Sequence, residues 1–410
     1  MSFSIHLLHF IAFVDLLAVG LILPLVPAHA RQLGASHVAV GLLGSVYATF
    51  QLGSGPLVGS LSDVKGRKTI LMLSLVVCSV AYGLTGIVTS VTSILCLRAL
   101  LGLFKQTQML TRAMVPDYEG CETKQSEIYG KMAAISGAGI TIGPVIGGHV
   151  LEDYPEHGFK YIALAVGACF LLNAGLVYTL PKTVKRVKRK SREKHGAVSQ
   201  NVVNFVTLSL RQSVIELYKV NWYKFWDVFM LKALIGFAMG VYYSNYSLYL
   251  KTIYLLSPKY VGYVISFQGV IGSLSSFFMG YINRLYCEDN DYSLRNLHVF
   301  AIISISLIGM ILSSNVYVYA FWLIPLAIGN ATGRLVTLEM ILRRSHGHHR
   351  GTLIGASNSV RSLSGIVAPM VAGLIGQYVG VTYVIYASLL ATLIGLGMSY
   401  HTRNTKMKND

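Results

Sequence analysis

The stretch Gly59-Ser60-Leu61-Ser62-Asp63-Val64-Lys65-Gly66-Arg67-Lys68 sets an acid, a turn glycine and three cations between two long apolar segments. A soluble core has no use for such a loop. Gly59 is expected to let one helix approach a neighbour closely, and Gly66 to take the positive-φ geometry of a tight turn. Asp63 and Arg67 are expected to form a charge clamp where the chain leaves a bilayer, with Asp117 as a further partner for Arg67 and Lys68 beside them.

Composition agrees with a bilayer. The chain has 410 residues, of which 53% are hydrophobic and 12% charged, whereas soluble domains carry about 25% charge. About twelve apolar stretches, from 5 to 28 through 382 to 400, each approach the ~20 residues that cross ~30 Å of hydrocarbon. The first carries Asp15, exceeds a signal-peptide core in length and lacks a small-residue cleavage site, so it is expected to stay as a first crossing. The five cysteines lack metal-type spacing and imply no disulfide framework.

The formal charge of +17 would suggest nucleic acid in a soluble protein. Sorted by loop, roughly 25 of the 34 Lys and Arg residues fall on one side of the expected membrane, which puts both termini in the cytoplasm and gives no reason to invoke nucleic acid. The densest cluster runs from Lys182 through Lys185, Arg186, Lys188, Arg189, Lys190 and Arg192 to Lys194; it anchors topology, and binding of anionic lipid is the alternative. The expected organisation is a six-helix bundle over 1–180, a basic cytoplasmic linker over 181–226 with an interfacial helix around Ser213 to Trp226, a second six-helix bundle over 227–400, and a cytoplasmic tail over 401–410. The halves repeat: Gly130, Gly139, Pro144 and Gly148 have the spacings of Gly355, Ser364, Pro369 and Gly373. A carrier whose two halves rock about a site between them needs such a repeat.

The loop at Gly59 to Lys68 resembles the signature between helices 2 and 3 of the major facilitator superfamily, departing from it at Val64, where a cation is usual. The run Gly137 to Gly148 is similar to the glycine- and proline-rich motif of that superfamily's antiporter branch, with Gly139, Gly143, Pro144, Gly147 and Gly148 as its packing residues. Arg98-Ala99-Leu100-Leu101-Gly102 resembles a fourth-helix motif whose arginine is implicated in proton coupling, and Phe13 to Pro27 is similar to the first helix of tetracycline-exporter-like and orphan organic-cation-transporter-like carriers. The resemblance implies an all-α membrane protein of twelve transmembrane helices in two pseudo-symmetric six-helix bundles. It implies a central cavity lined by helices 1, 4, 7 and 10, and transport without cofactor or metal.

Within that frame the intramembrane charges are the candidate site. Asp15 lies ~16 Å into the first span at ~1.5 Å per residue, near the midplane, where a lone carboxylate is costly. Arg98 in span 4 is its expected partner, and the two form the candidate proton-coupling pair. Arg98, Gly102, Lys105 and Met109 recur at helical spacing, as a cavity wall would. Lys232, Arg334 and Arg361 add cations in the second half, with Glu339 as a counterweight. Tyr243, Asn245, Gln268, Asn330 and Asn358 supply stacking faces and hydrogen bonds. The histidines His346, His348 and His349 sit among arginines and are read as topology cations.

The expectation is a secondary active transporter of a small organic solute working by alternating access, coupled to protons with antiport favoured. The excess of cations points to an anionic or zwitterionic solute. A facilitative uniporter and a receptor or scaffold without transport remain as alternatives. No nucleotide loop and no nucleophile with an adjacent base appears, so an enzyme is not expected. A monomer in the plasma membrane or an acidic organelle completes the reading.

Overall fold

The computed structural model describes residues 2–181, 222–278, 291–344 and 350–407, together with 281, 284, 286 and 289. The basic cluster from Lys182 to Lys194, the interfacial stretch up to residue 221, Cys287 and His346, His348 and His349 lie outside these residues. Trp222 to Trp226, expected to close the interfacial helix, are continuous with the helix Trp222–Ile253, whose apolar span starts at Phe225.

Fourteen α-helices form among the described residues, with no strand. They are α1 Ser2–Ile22, α2 Val26–Gln32, α3 His37–Lys65, α4 Arg67–Thr85, α5 Val91–Phe104, α6 Thr107–Tyr118, α7 Glu122–Asp153, α8 Gly158–Thr179, α9 Trp222–Ile253, α10 Pro258–Phe277, α11 Ser293–Ile311, α12 Val316–Arg344, α13 Arg350–Tyr378 and α14 Val384–Met407. Two pairs are single crossings interrupted by a break, late in the first and near the middle of the fourth. Pro24, without an N–H, breaks the first between α1 and α2. Lys105 and Gln106, at φ/ψ of −75°/54° and −99°/19°, break the fourth between α5 and α6. Counting each pair once leaves twelve crossings.

Ten helical segments are long and apolar enough to span a bilayer by themselves. The other two crossings are the interrupted α5/α6 and α10, whose apolar run is diluted by Gln268 and several serines. Both chain ends emerge on one face, here the terminal face; the other is the distal face.

Small residues set the packing. In α7 a Cβ added at Gly139 would lie 2.6 Å from the Phe13 carbonyl oxygen, at Gly143 2.5 Å from the Gly20 carbonyl carbon, and at Gly147 2.5 Å from the Leu21 carbonyl oxygen. This stripe seats α1 backbone to backbone. Gly148, on another face of α7, would meet Pro258 O of α10 at 2.6 Å. The repeat places its second copy equivalently, since a Cβ on Gly373 of α13 would lie 2.7 Å from His37 O of α3, and Pro369 crowds Gly41. The Pro-Gly elements of the two halves are thus two of the places where the bundles touch; α2 against α9 is another.

Gly59 differs from expectation. A Cβ there would meet only Met109 Cε, at an ordinary 3.9 Å, so no helix approaches closely at that point. Gly66 has φ +97° and turns the chain between α3 and α4.

Gly143→Val must push α1 from α7 against fixed backbone. It is expected to cost about 1–3 kcal/mol or more, read as a lower unfolding midpoint in detergent. Gly175→Ala, where an added Cβ has nothing within 4 Å, should be neutral or stabilise by up to about 1 kcal/mol.

Candidate functional site

The break between α5 and α6 builds the polar centre of the first bundle. Leaving helical geometry at Lys105 turns its side chain toward α1, where Lys105 Nζ meets Asp15 Oδ1 at 2.7 Å. Thr107 Oγ1 accepts from Lys105 Nζ at 2.6 Å and donates to the same Asp15 oxygen at 2.8 Å. Gln108 Nε2 donates to Asp15 Oδ2 at 3.0 Å. The carboxylate therefore has three donors while only 2% of the residue is exposed. Phe170 of α8 offers its ring to the ammonium, 5.0 Å from the centroid.

The interrupted backbone is satisfied from α3. Gln51 Nε2 donates to the Lys105 carbonyl at 3.2 Å, Gln106 Nε2 donates to the Gln51 carbonyl at 2.8 Å and to Ser54 Oγ at 2.9 Å, and Ser54 Oγ donates to the Gly102 carbonyl at 3.1 Å. Such repair lets non-helical backbone persist at membrane depth.

Three expectations are corrected here. Asp15 pairs with Lys105, not with Arg98; Arg98 is buried with its Nε unpartnered. Lys105 does not line the cavity: the residue is 6% exposed and spent on Asp15. The regular stripe of span 4 does not exist, because the helix stops at Phe104, and Gly102 faces α3, where an added Cβ would lie 2.5 Å from Tyr47 O. The missed signal was the run Lys105-Gln106-Thr107-Gln108, four polar residues in succession at mid-span.

Cations from both halves lie near one another. Arg112 of α6, Arg334 of α12 and Arg361 of α13 are exposed, yet Arg361 lies within electrostatic range of the other two and of the half-buried Lys232 on α9. Asn358 is exposed on α13. Tyr243 of α9 is 44% exposed, and its hydroxyl accepts from Gln268 Nε2 of α10 at 3.1 Å and from Asn330 Nδ2 of α12 at 3.2 Å. Asn245, read as cavity wall, is buried, and its Nδ2 donates to the Ala372 carbonyl, tying α9 to α13.

At the distal face the bundles are bonded. Glu152 Oε2 accepts from Ser257 Oγ at 2.5 Å and from Lys259 N at 3.2 Å, His149 Nε2 meets Tyr263 Oη at 3.1 Å, and the His37 amide donates to Gln377 Oε1 at 3.0 Å. Deeper, Ser45 Oγ donates to the Ile366 carbonyl at 2.6 Å. A cavity of about 310 Å³ lies beside this seal, lined by Pro24, His29, Phe159, Lys251 and Val261 among others, away from Asp15.

At the terminal face Arg67 donates to Asp117 Oδ1 at 3.1 Å, to Asp63 Oδ1 at 3.3 Å and to the Ala113 carbonyl. Partial burial raises the Asp117 carboxyl above its ordinary range, with Arg67 offsetting only part of that rise. Lys68 Nζ donates to the Tyr178 carbonyl at 2.8 Å. The second half has a clamp that sequence reading missed: Arg344 holds Asp227 bidentately at 2.6 and 2.8 Å, joining α12 to α9.

Residues 8–286 match the family model described as Major Facilitator Superfamily. Among curated proteins, the chain is 25% identical over 406 residues to solute carrier family 22 member 18 of Rattus norvegicus, covering 96% of this chain and 92% of that one. It is 23% identical over 404 residues to the quinolone resistance protein NorA of Staphylococcus aureus, covering 97% and 95%. Among solved structures it superposes on a bacterial homologue of the human lysosomal transporter Spinster, inward-facing and occupied, with TM-score 0.79, 14% identity and coverage of 99% and 97%. The human organic anion transporter MFSD10 gives TM-score 0.65 at 18% identity, covering 97% and 98%. With twelve crossings in two related halves and a family model matching well over half its length, this chain belongs to the major facilitator superfamily.

Proposed function

We propose that the protein is a proton-coupled secondary transporter that moves a small organic anion or zwitterion by alternating access, with proton exchange as its mode. The observation that carries the coupling is the buried Asp15–Lys105 pair. Ionised, the two charges neutralise each other in a low-dielectric interior. A proton on Asp15 removes that balance and leaves a buried ammonium beside Phe170, which costs several kcal/mol unless Lys105 moves toward water. Occupancy of Asp15 by a proton and the position of the chain at the α5/α6 break are thereby one equilibrium.

The charge of the solute is argued from Arg112, Lys232, Arg334 and Arg361, which sit on both halves and repel one another across the cavity. An anion between them relieves that repulsion and draws the halves together. That MFSD10, one of the fold neighbours, is an organic anion transporter is in keeping with this reading. We take the terminal face as cytoplasmic from the bias of basic residues toward its loops, and the bonded distal face supports reading this as an inward-open state. Gly59, Asp63, Gly66, Arg67, Lys68 and Asp117 serve as the gating loop, and the Pro-Gly elements of α7 and α13 as the seal. An acidic organelle or the plasma membrane supplies the proton gradient.

Reconstitution into liposomes with an internal pH dye, screened with organic anions, zwitterions and cations, tests this reading. Wild type is expected to move protons with anions or zwitterions. Asp15→Asn should lose gradient-driven accumulation while still equilibrating solute without a gradient. A wild type that equilibrates solute but never accumulates it is a uniporter, absence of any flux marks a receptor or scaffold, and a response to cations alone overturns the charge argument. Lys105→Met alone should destabilise by about 3–5 kcal/mol, since it leaves an unpaired buried carboxylate. Combined with Asp15→Leu it should recover most of that loss and remain uncoupled, as read by thermal unfolding and the same dye.

A further inference from the structure

The hydroxyl of Tyr243 carries more information than its exposure. A phenol oxygen has two lone pairs and one proton. Gln268 Nε2 and Asn330 Nδ2 both donate to it, at 3.1 and 3.2 Å, from two different helices. Both lone pairs are thereby occupied by amide N–H groups, and the one capacity left to this oxygen is to donate. The residue is 44% exposed while Gln268 behind it is 5% exposed, so Gln268 forms the backing and the phenol the face, with the half-buried Asn330 beside them. Arg334, one helical turn beyond Asn330 on α12, lies within electrostatic range of the same phenol.

We propose that Tyr243 is a donor-only contact that reads an oxyanion, a carboxylate or its like, on the solute in the central cavity, with Arg334 supplying the countercharge. This rests on the anion reading above and assigns the atom that enforces it. An O–H to an ionised acceptor is roughly twice as strong as a neutral pair. An ammonium reaching the phenol oxygen finds no free lone pair on it to accept its protons and a guanidinium nearby to repel it. Selectivity against cations therefore follows from hydrogen-bond polarity as well as net charge. Gln268 and Asn330 are positioning residues: they fix which way the phenol proton points and do not themselves need to touch solute.

The test uses the purified full-length protein and three probes with one ring system, 2-naphthoate, 2-naphthamide and 2-naphthylmethylammonium, by calorimetric titration. Wild type should bind naphthoate best and the ammonium worst. Tyr243→Phe should weaken naphthoate about 10- to 100-fold, the loss of one hydrogen bond to a charged group, and the amide far less. Gln268→Leu removes one of the two donors that occupy the phenol's lone pairs, so the oxygen can then accept, and the preference for naphthoate over the ammonium should fall several-fold; an unchanged preference means that the amide does not orient the phenol. If Tyr243→Phe binds naphthoate as wild type does, the assignment of Tyr243 falls while the anion reading stands. A wild type that prefers the ammonium overturns both. If Gln268→Leu gains naphthoate affinity ten-fold or more, the phenol proton was directed at Gln268 and the donor-only assignment is wrong. That variant also decides the matter should Tyr243→Phe not fold.

Discussion

The carboxylate of Asp15 imposes the dominant constraint on the first bundle. Held at 2% exposure in a chain that crosses hydrocarbon, it must be compensated by nearby donors or be neutral. The compensation is structural as well as electrostatic. A lysine on a continuous helix would keep its stem along that helix, so the fourth crossing leaves helical geometry at Lys105 to bring the ammonium inward. The break exposes backbone groups, and these call for Gln51, Gln106 and Ser54. One buried charge thus accounts for a helix interruption and a polar network on a third helix.

A second constraint is proximity. Helices in lipid gain little from burying apolar side chains against each other, because lipid is equally apolar, so contact depends on close backbone approach. The stripe Gly139, Gly143 and Gly147 serves this within the first bundle, and Pro144 with Gly148 serves it between bundles. The repeat reproduces the arrangement with Pro369 and Gly373 against α3. Duplication of one half, followed by divergence of the cavity-facing residues, is a sufficient account of why the seals match and the charges do not.

Much of this was legible in the residues. The crossings follow from apolar length, and the Gly-Pro spacing disclosed the internal repeat before any contact was known. The turn at Gly66 and the Arg67 clamp to Asp63 and Asp117 were readable because they are local or lie at adjacent helix ends. The Lys105 pairing was not, because reading span 4 as an unbroken helix projects Lys105 onto the wrong face, and only the succession of four polar residues hints otherwise. Gly59 misled for the opposite reason: its motif suggests close packing, whereas space at that point depends on where Met109 falls. Asp227 with Arg344, 117 positions apart in sequence, left no local pattern to find.

The terminal-face clamps join helices within a half: Arg67 with Asp117 in one, Arg344 with Asp227 in the other. Each half is therefore braced at the end farthest from the Pro-Gly contacts, and under the proposed alternating access those contacts would serve as a fulcrum with a stiff arm beyond it. From Pro144 to the start of α7 the arm is about 33 Å long at ~1.5 Å per residue. A turn of ten degrees at the fulcrum then sweeps the tip through roughly 6 Å. On that proposal, main-chain contacts that barely shift would be geared to a mouth wide enough to admit or release a small molecule.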